Sequence, residues 1–215
     1  WSEAIAALVN KIGQFTTNPV IRNIIGQGKS TFNFRQAMDE RKIIIMNMSK
    51  GLIGEQSATL LGALLITKIY LAAMSRENLN PEQKAVMAPM YFYVDEFQNF
   101  ANDSFANILS EARKYKLALT VANQFIAQME ETIRDAVFGN MGTTITFRVG
   151  PLDAEFMERV FAPVFNGEDL QNISFGQIFL TLLIDGMASK PFSAATLAPI
   201  QPLETPQRDL VINTS

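Results

Sequence analysis

Four short apolar runs, separated by stretches of helical periodicity, constrain this chain more than any other feature of its 215 residues. They are Lys42–Met48 (KIIIMNM), Met90–Val94 (MYFYV), Leu117–Ala122 (LALTVA) and Thr143–Val149 (TTITFRV). Runs this short, apolar on consecutive residues, fit strands buried on both faces, as in a parallel sheet. Helical patterns lie before, between and after them: an amphipathic Ser2–Phe15, a short helix to Ile25 opened by Asn18–Pro19, a long, mainly apolar Ser57–Ser75, an Asp103-capped segment with a Phe105, Ile108, Leu109, Ala112 stripe, Ala127–Phe138, and Asp153–Ala162. Alternation of this kind predicts an α/β fold, a mainly parallel sheet with helices on both faces. A mixed α+β fold is the alternative. Near the end, Ile178–Ile184 and Pro191–Thr196 flank Asp185-Gly186-Met187-Ala188 and predict a closing C-terminal β-hairpin. Residues 1–198 read as one unit, and 199–215, with Pro199, Pro202 and Pro206, as an extended tail or linker.

Composition narrows the chemistry. With 48% hydrophobic and 18% charged residues, the chain can bury a core. It has neither cysteine nor histidine, so disulfides, thiolate or imidazole metal sites and serine–histidine catalysis are excluded. Any catalysis runs on carboxylates, amides, Lys or Arg. A net charge of −3 gives no overall attraction to nucleic-acid backbones. The apolar Ser57–Met74 segment contains Lys68 and is shorter than the roughly 20 residues a membrane span needs, so a buried helix against the sheet is expected.

The strongest chemical signal is the run from Met90 to Val94 followed directly by Asp95 and Glu96. In parallel sheets the C-terminal rim of the strands is where ligands bind. There, a first carboxylate can hold Mg²⁺ through water beside nucleotide phosphates, and a second can orient and deprotonate a water. A solvated loop or helix cap is the plainer alternative. The next apolar run ends in Asn123–Gln124, whose amide could sense a phosphate or help place that water.

These residues carry a resemblance. Tyr91–Phe100 (YFYVDEFQNF), Leu109–Tyr115 (LSEARKY) and Leu119–Gln124 (LTVANQ) resemble the ATPase domain of conjugative, TraD/TraG-like coupling proteins of type IV secretion, relatives of the VirB4-like and HerA/FtsK motors. The resemblance extends over roughly residues 34–197. It implies a RecA-like P-loop NTPase core using ATP and Mg²⁺, with Asp95 and Glu96 as the Walker B pair and Gln124 as phosphate sensor. Such motors are homo-hexamers, which makes Arg148, near the end of the fourth run, a candidate arginine finger; a snorkelling edge residue is the alternative. Arg113 and Lys114 match the family run as candidate nucleotide- or DNA-contacting residues, although cations at a helix C-terminus are favoured in any case. The resemblance implies DNA and type IV secretion components as partners. It also implies a cytoplasmic site at the bacterial inner membrane, with membrane contact made only by parts outside this chain. The alternatives are a VirB4-like ATPase for protein export or pilus assembly, and a non-catalytic assembly domain.

The phosphate-binding loop is the missing piece. Gly28-Lys29-Ser30-Thr31 ends like G-x-x-x-x-G-K-[ST], but Asn23 stands where the first glycine belongs and the preceding residues look helical. The chain is therefore expected to be the C-terminal portion of a motor domain, inactive in isolation.

Overall fold

The computed structural model describes residue 13, residues 18–101 and residues 103–200. The expected Ser2–Phe15 helix and most of the 199–215 tail fall outside these. Contacts divide the chain into two units, Trp1–Met141 and Gly142–Ser215.

The first unit opens as its caps dictate. In α1 (Pro19–Ile25) the Asn18 side chain accepts from the Val20 amide, Pro19 occupies the first turn, and Gly26 ends the helix. Asn33 caps α2 (Phe34–Asp39) in the same way. The Gly28–Thr31 stretch thus joins two helices, and among the described residues no strand precedes it, which is not the setting of a phosphate loop. Residues 42–48 form no strand either, contrary to expectation. They still alternate, with Ile44, Met46 and Met48 half-buried and Ile43 and Ile45 about nine-tenths exposed, at 92% and 89%. The run pairs with no strand among the described residues.

After the short α3 (Lys50–Ile53), Gly54 at φ +82° turns the chain into α4 (Glu55–Met74), the long apolar helix. One stripe, Ala58, Gly62, Ile66, Ile69 and Ala73, is buried. Leu64 and Leu71 on the remainder are exposed, so the helix is packed on one face and not sandwiched. Gly62 is required there: a Cβ would lie 2.4 Å from the Phe100 ring. α4 is also, among the described residues, the one helix long and apolar enough to cross a membrane by length and composition.

A capping box of Asn80 and Gln83 starts α5 (Pro81–Val86). Then come β1 (Met90–Val94), α6 (Asp103–Glu111) and β2 (Leu117–Val121). The strands are parallel, with Met90 opposite Leu117 and Val94 opposite Val121. Phe92, Val94 and Leu117 are buried, whereas Tyr91 and Tyr93 on the opposite face are 65% and 71% exposed. The expected broad parallel sheet with helices on both faces is here a two-stranded ladder open on one face. Phe97, Phe105, Ile108 and Ala112 are buried, so the stripe read for α6 does face inward. α7 (Glu131–Asn140) closes the unit and packs on α6.

The second unit is antiparallel. β3 (Thr144–Thr146) pairs antiparallel with β4 (Gln177–Thr181), which pairs antiparallel with β7 (Phe192–Ala195). The fourth run was expected as a longer strand of the parallel sheet; it stops at Thr146 and belongs to this separate sheet. The C-terminal hairpin is present: β5 (Leu183–Ile184) and β6 (Met187–Ala188) meet around Asp185–Gly186, whose φ values of +50° and +82° suit a type I′ turn. α8 (Pro151–Phe161) and α9 (Gly167–Gln171) pack together, and Phe165 stacks on Phe179 with ring centroids 3.8 Å apart.

Candidate functional site

Because β1 and β2 are parallel and in direct register, their C-terminal tips lie side by side, and the ladder continues past their formal ends. The Ala122 amide donates to Val94 O at 2.9 Å and the Phe97 amide to Ala122 O at 2.9 Å. Between these two bonds the chain makes a tight corner. Glu96 takes φ +50° and ψ +43°, a left-handed conformation that costs a non-glycine residue about 1 kcal/mol. Asp95 braces the corner by accepting from the Glu96 amide through Oδ1 at 2.9 Å. The 3₁₀ turn Phe97–Asn99 follows, anchored by Phe97, which is wholly buried with its ring tilted against Phe105.

The corner directs the Glu96 carboxylate toward the tip of β2. Oε1 accepts a hydrogen bond from Gln124 Nε2, so the second acid and the glutamine meet across adjacent strands. Oε2 accepts from Gln98 Nε2 at 2.6 Å. The carboxylate is therefore held on both oxygens by carboxamides, one from each strand's own loop. The Asn99 side chain donates to Glu96 O at 3.1 Å, and Lys50 Nζ donates to Asn99 Oδ1 at 3.0 Å and to Glu55 Oε1 at 2.9 Å. Lys50 thus places a cation on the same rim. Asp95 is exposed, and its Oδ2 makes no hydrogen bond among the described residues.

Two other candidates of the first unit, Arg113 and Lys114, are not brought here. Arg113 and Lys114 lie in the 3₁₀ turn Ala112–Tyr115, which leads into the N-terminal end of β2. Five strand residues, roughly 16 Å at the usual rise, separate that rim from Gln124. Lys114 pairs with Glu111 at 3.7 Å. Arg148 is exposed in the segment after β3 and belongs to the second unit. The sequence reading missed Gln98, Asn99 and Lys50. Gln98 and Asn99 stand in the quoted run YFYVDEFQNF, but only the left-handed corner at Glu96 turns them back onto the carboxylate and its carbonyl.

Among the described residues no group of three or more acidic side chains could cage a metal ion. A single carboxylate can take up a cation only together with a ligand's own oxygens, the usual arrangement for Mg²⁺ on phosphates. Asp95, exposed with one free oxygen, is the residue present that could do this.

Residues 89–160 match the family model described as the TraM recognition site of TraD and TraG. The match covers part of the chain only. The matched stretch begins just before β1 and runs into α8, so it contains Asp95, Glu96, Gln98, Gln124 and Arg148. Comparison with curated proteins returns no match. Among solved structures, the bacterial conjugative coupling protein TrwBdeltaN70 is similar in its unbound monoclinic form, at 10% identity and TM-score 0.61 over 85% of this chain and 50% of that one. Its trigonal form in complex with sulphate gives 10% identity and TM-score 0.63 over 87% and 49%. The plasmid coupling protein TrwB in complex with ADP and Mg²⁺ gives 11% identity and TM-score 0.61 over 83% and 46%. The chain thus shares the fold of these coupling-protein structures and spans about half their length.

Proposed function

We propose that this chain supplies the water-activating half of the nucleotide site in an ATP-driven DNA-transfer motor of the coupling-protein kind. The observation that carries the reading is the hydrogen bond between Glu96 and Gln124 across the tips of adjacent parallel strands. Asp95 and Glu96 act as the Walker B pair. Asp95 is placed to hold a Mg²⁺-bound water, and Mg²⁺ with ATP would supply the charge neutralisation on which phosphoryl transfer depends. Glu96 orients and deprotonates the attacking water, and Gln124 reports the state of the phosphate. A phosphate-binding loop from outside the described residues completes the site.

The remaining features of the proposal follow the family. The working assembly is a homo-hexamer in which Arg148 reaches the neighbouring subunit's nucleotide as an arginine finger. DNA is the cargo, a TraM-type protein and type IV secretion components are partners, and the motor sits at the cytoplasmic face of the bacterial inner membrane. Arg113 and Lys114, on the far rim, are left to contacts with DNA or a neighbouring subunit.

The test is ATP turnover by the intact protein carrying Glu96→Gln. Loss of at least about 100-fold in kcat with ATP affinity retained is expected for removal of a general base; turnover at the wild-type rate would take Glu96 out of the mechanism. Single- and double-stranded DNA added to the wild type should raise its turnover. Hydrolysis indifferent to both would favour the protein-export reading.

A further inference from the structure

We infer that Gln98 is a positioning residue for Glu96, holding the carboxylate at the rim while Gln124 exchanges partners; the inference rests on the function proposed above. Two carboxamides grip Glu96, but they are built differently. Gln124 is exposed, three residues beyond the end of β2. Gln98 is half-buried and shares a 3₁₀ turn with the fully buried Phe97. That turn is tied down on both sides of Gln98, by the Phe97 amide on Ala122 O and by the Asn99 amide on Glu96 O, each at 2.9 Å. The orientation of the Gln98 amide follows from chemistry. Only its NH₂ can face a carboxylate, because its oxygen would be repelled. Its Oε1 is consequently turned inward, buried, with no donor among the described residues. A buried amide oxygen without a donor is unfavourable. The turn tolerates that cost while keeping the NH₂ on Glu96.

The division of labour follows. Each Glu96 oxygen keeps a lone pair beside the one its carboxamide occupies, so the carboxylate can take a proton from water with Gln98 still bound. Gln124, exposed and on the neighbouring strand, is the donor free to swing to another acceptor. When it does, both lone pairs of Oε1 are open to the water, and Oε2 stays on Gln98. Without Gln98 the freed carboxylate would sample several rotamers, and misplacing a catalytic group by even 1 Å costs rate steeply.

The experiment uses the intact protein and steady-state ATP hydrolysis. Gln98→Met keeps the side-chain length and removes the donor; Gln98→Glu keeps the shape and sets carboxylate against carboxylate. Gln98→Met should lower kcat about 10-fold with KM for ATP within about 2-fold, and Gln98→Glu should lower it further. Gln98→His, which returns a ring N–H at similar reach, should restore part of the loss. In the Glu96→Gln background, Gln98→Met should change the residual rate by less than 2-fold. The inference is overturned if Gln98→Met turns over within 2-fold of wild type. It is also overturned if the loss persists in full on top of Glu96→Gln, or if Gln98→His, folded by circular dichroism, recovers nothing; these are the marks of a merely structural residue. Should Glu96→Gln itself hydrolyse ATP normally, the proposed function fails and takes this inference with it. An inactive Glu96→Gln beside a normal Gln98→Met sinks the inference alone.

Discussion

Arg76 offers the sharpest test of the energetics beneath the site. It is 1% exposed, just beyond the end of α4, and it joins three elements. Nη1 donates to Tyr115 O at 3.1 Å, immediately before β2, and Nη2 pairs with Asp39 Oδ1 at 3.1 Å, at the end of α2. Nε has no acceptor among the described residues. Breaking a buried pair from one side strands the other charge and typically costs about 3–5 kcal/mol, whereas replacing the charge by an apolar group of similar volume is often neutral. The Asp39 side chain is 42% exposed, so solvent already screens the pair from that side. Asp39→Ala should therefore cost less than the full range, roughly 2–3 kcal/mol. Arg76→Met loses the bond to Tyr115 O, about 1–2 kcal/mol, and is relieved of a desolvated guanidinium with an unsatisfied Nε, which is worth about the same. Its net effect should lie within about 1 kcal/mol of zero. The readout is the urea midpoint by far-UV circular dichroism. With a slope of about 2 kcal/mol per M, Asp39→Ala should fall by ~1–1.5 M and Arg76→Met by no more than ~0.5 M. Asp39 also pairs with Arg35, so Arg35→Ala serves as control, and this more exposed pair should be worth under about 1 kcal/mol. An Arg76→Met midpoint below that of Asp39→Ala would refute the reasoning, because the guanidinium would then be a net source of stability.

Two further outcomes are expected. Gly62→Ala should lower the thermal midpoint: alanine favours the helix by about 1 kcal/mol, but displacing the Phe100 ring from its seat on α4 costs about 1–3, and a higher midpoint would mean that the ring moves freely. Burial, followed by a 3.2 Å hydrogen bond to Glu111, pushes the Tyr70 hydroxyl up to about 12 from 10.0. A raised folded-state value binds the proton more tightly in the native protein. The contribution is therefore complete below pH 10 and lost between pH 10 and 12. The stability difference between wild type and Tyr70→Phe should shrink across that window, and a constant difference would contradict the assignment.

The sequence made β1, β2 and their converging tips legible because strand and site share one cause. Two apolar runs that end in polar residues and are joined by a helix pair in parallel, and parallel pairing brings Asp95, Glu96 and Gln124 to one rim. Lys42–Met48 is rich in Ile and alternates in burial, yet forms no strand, since strand formation needs a partner edge that local composition cannot report. β3 misled for a related reason. Its residues suit a strand, but whether its neighbour runs parallel or antiparallel is decided by β4, more than 30 residues away. Arg113 and Lys114 matched a family run, but the helix before β2 delivers them to the entry of the strand, not its exit. Gln98 and Lys50 were invisible for opposite reasons. Gln98 needs a backbone conformation that glutamate rarely adopts, and Lys50 reaches the site only through Asn99, 49 positions further on.

The backbone at Glu96 carries a consequence for how this region can vary. A position at φ +50° is one where glycine would relieve the chain of its steric penalty, so selection for robustness alone pulls toward losing the side chain. Chemistry at the rim pulls the other way, and the corner itself is what aims the carboxylate. Relaxed and reactive versions of this turn are thus mutually exclusive, and any thermally hardened descendant of the protein would have to find its extra stability somewhere other than residue 96.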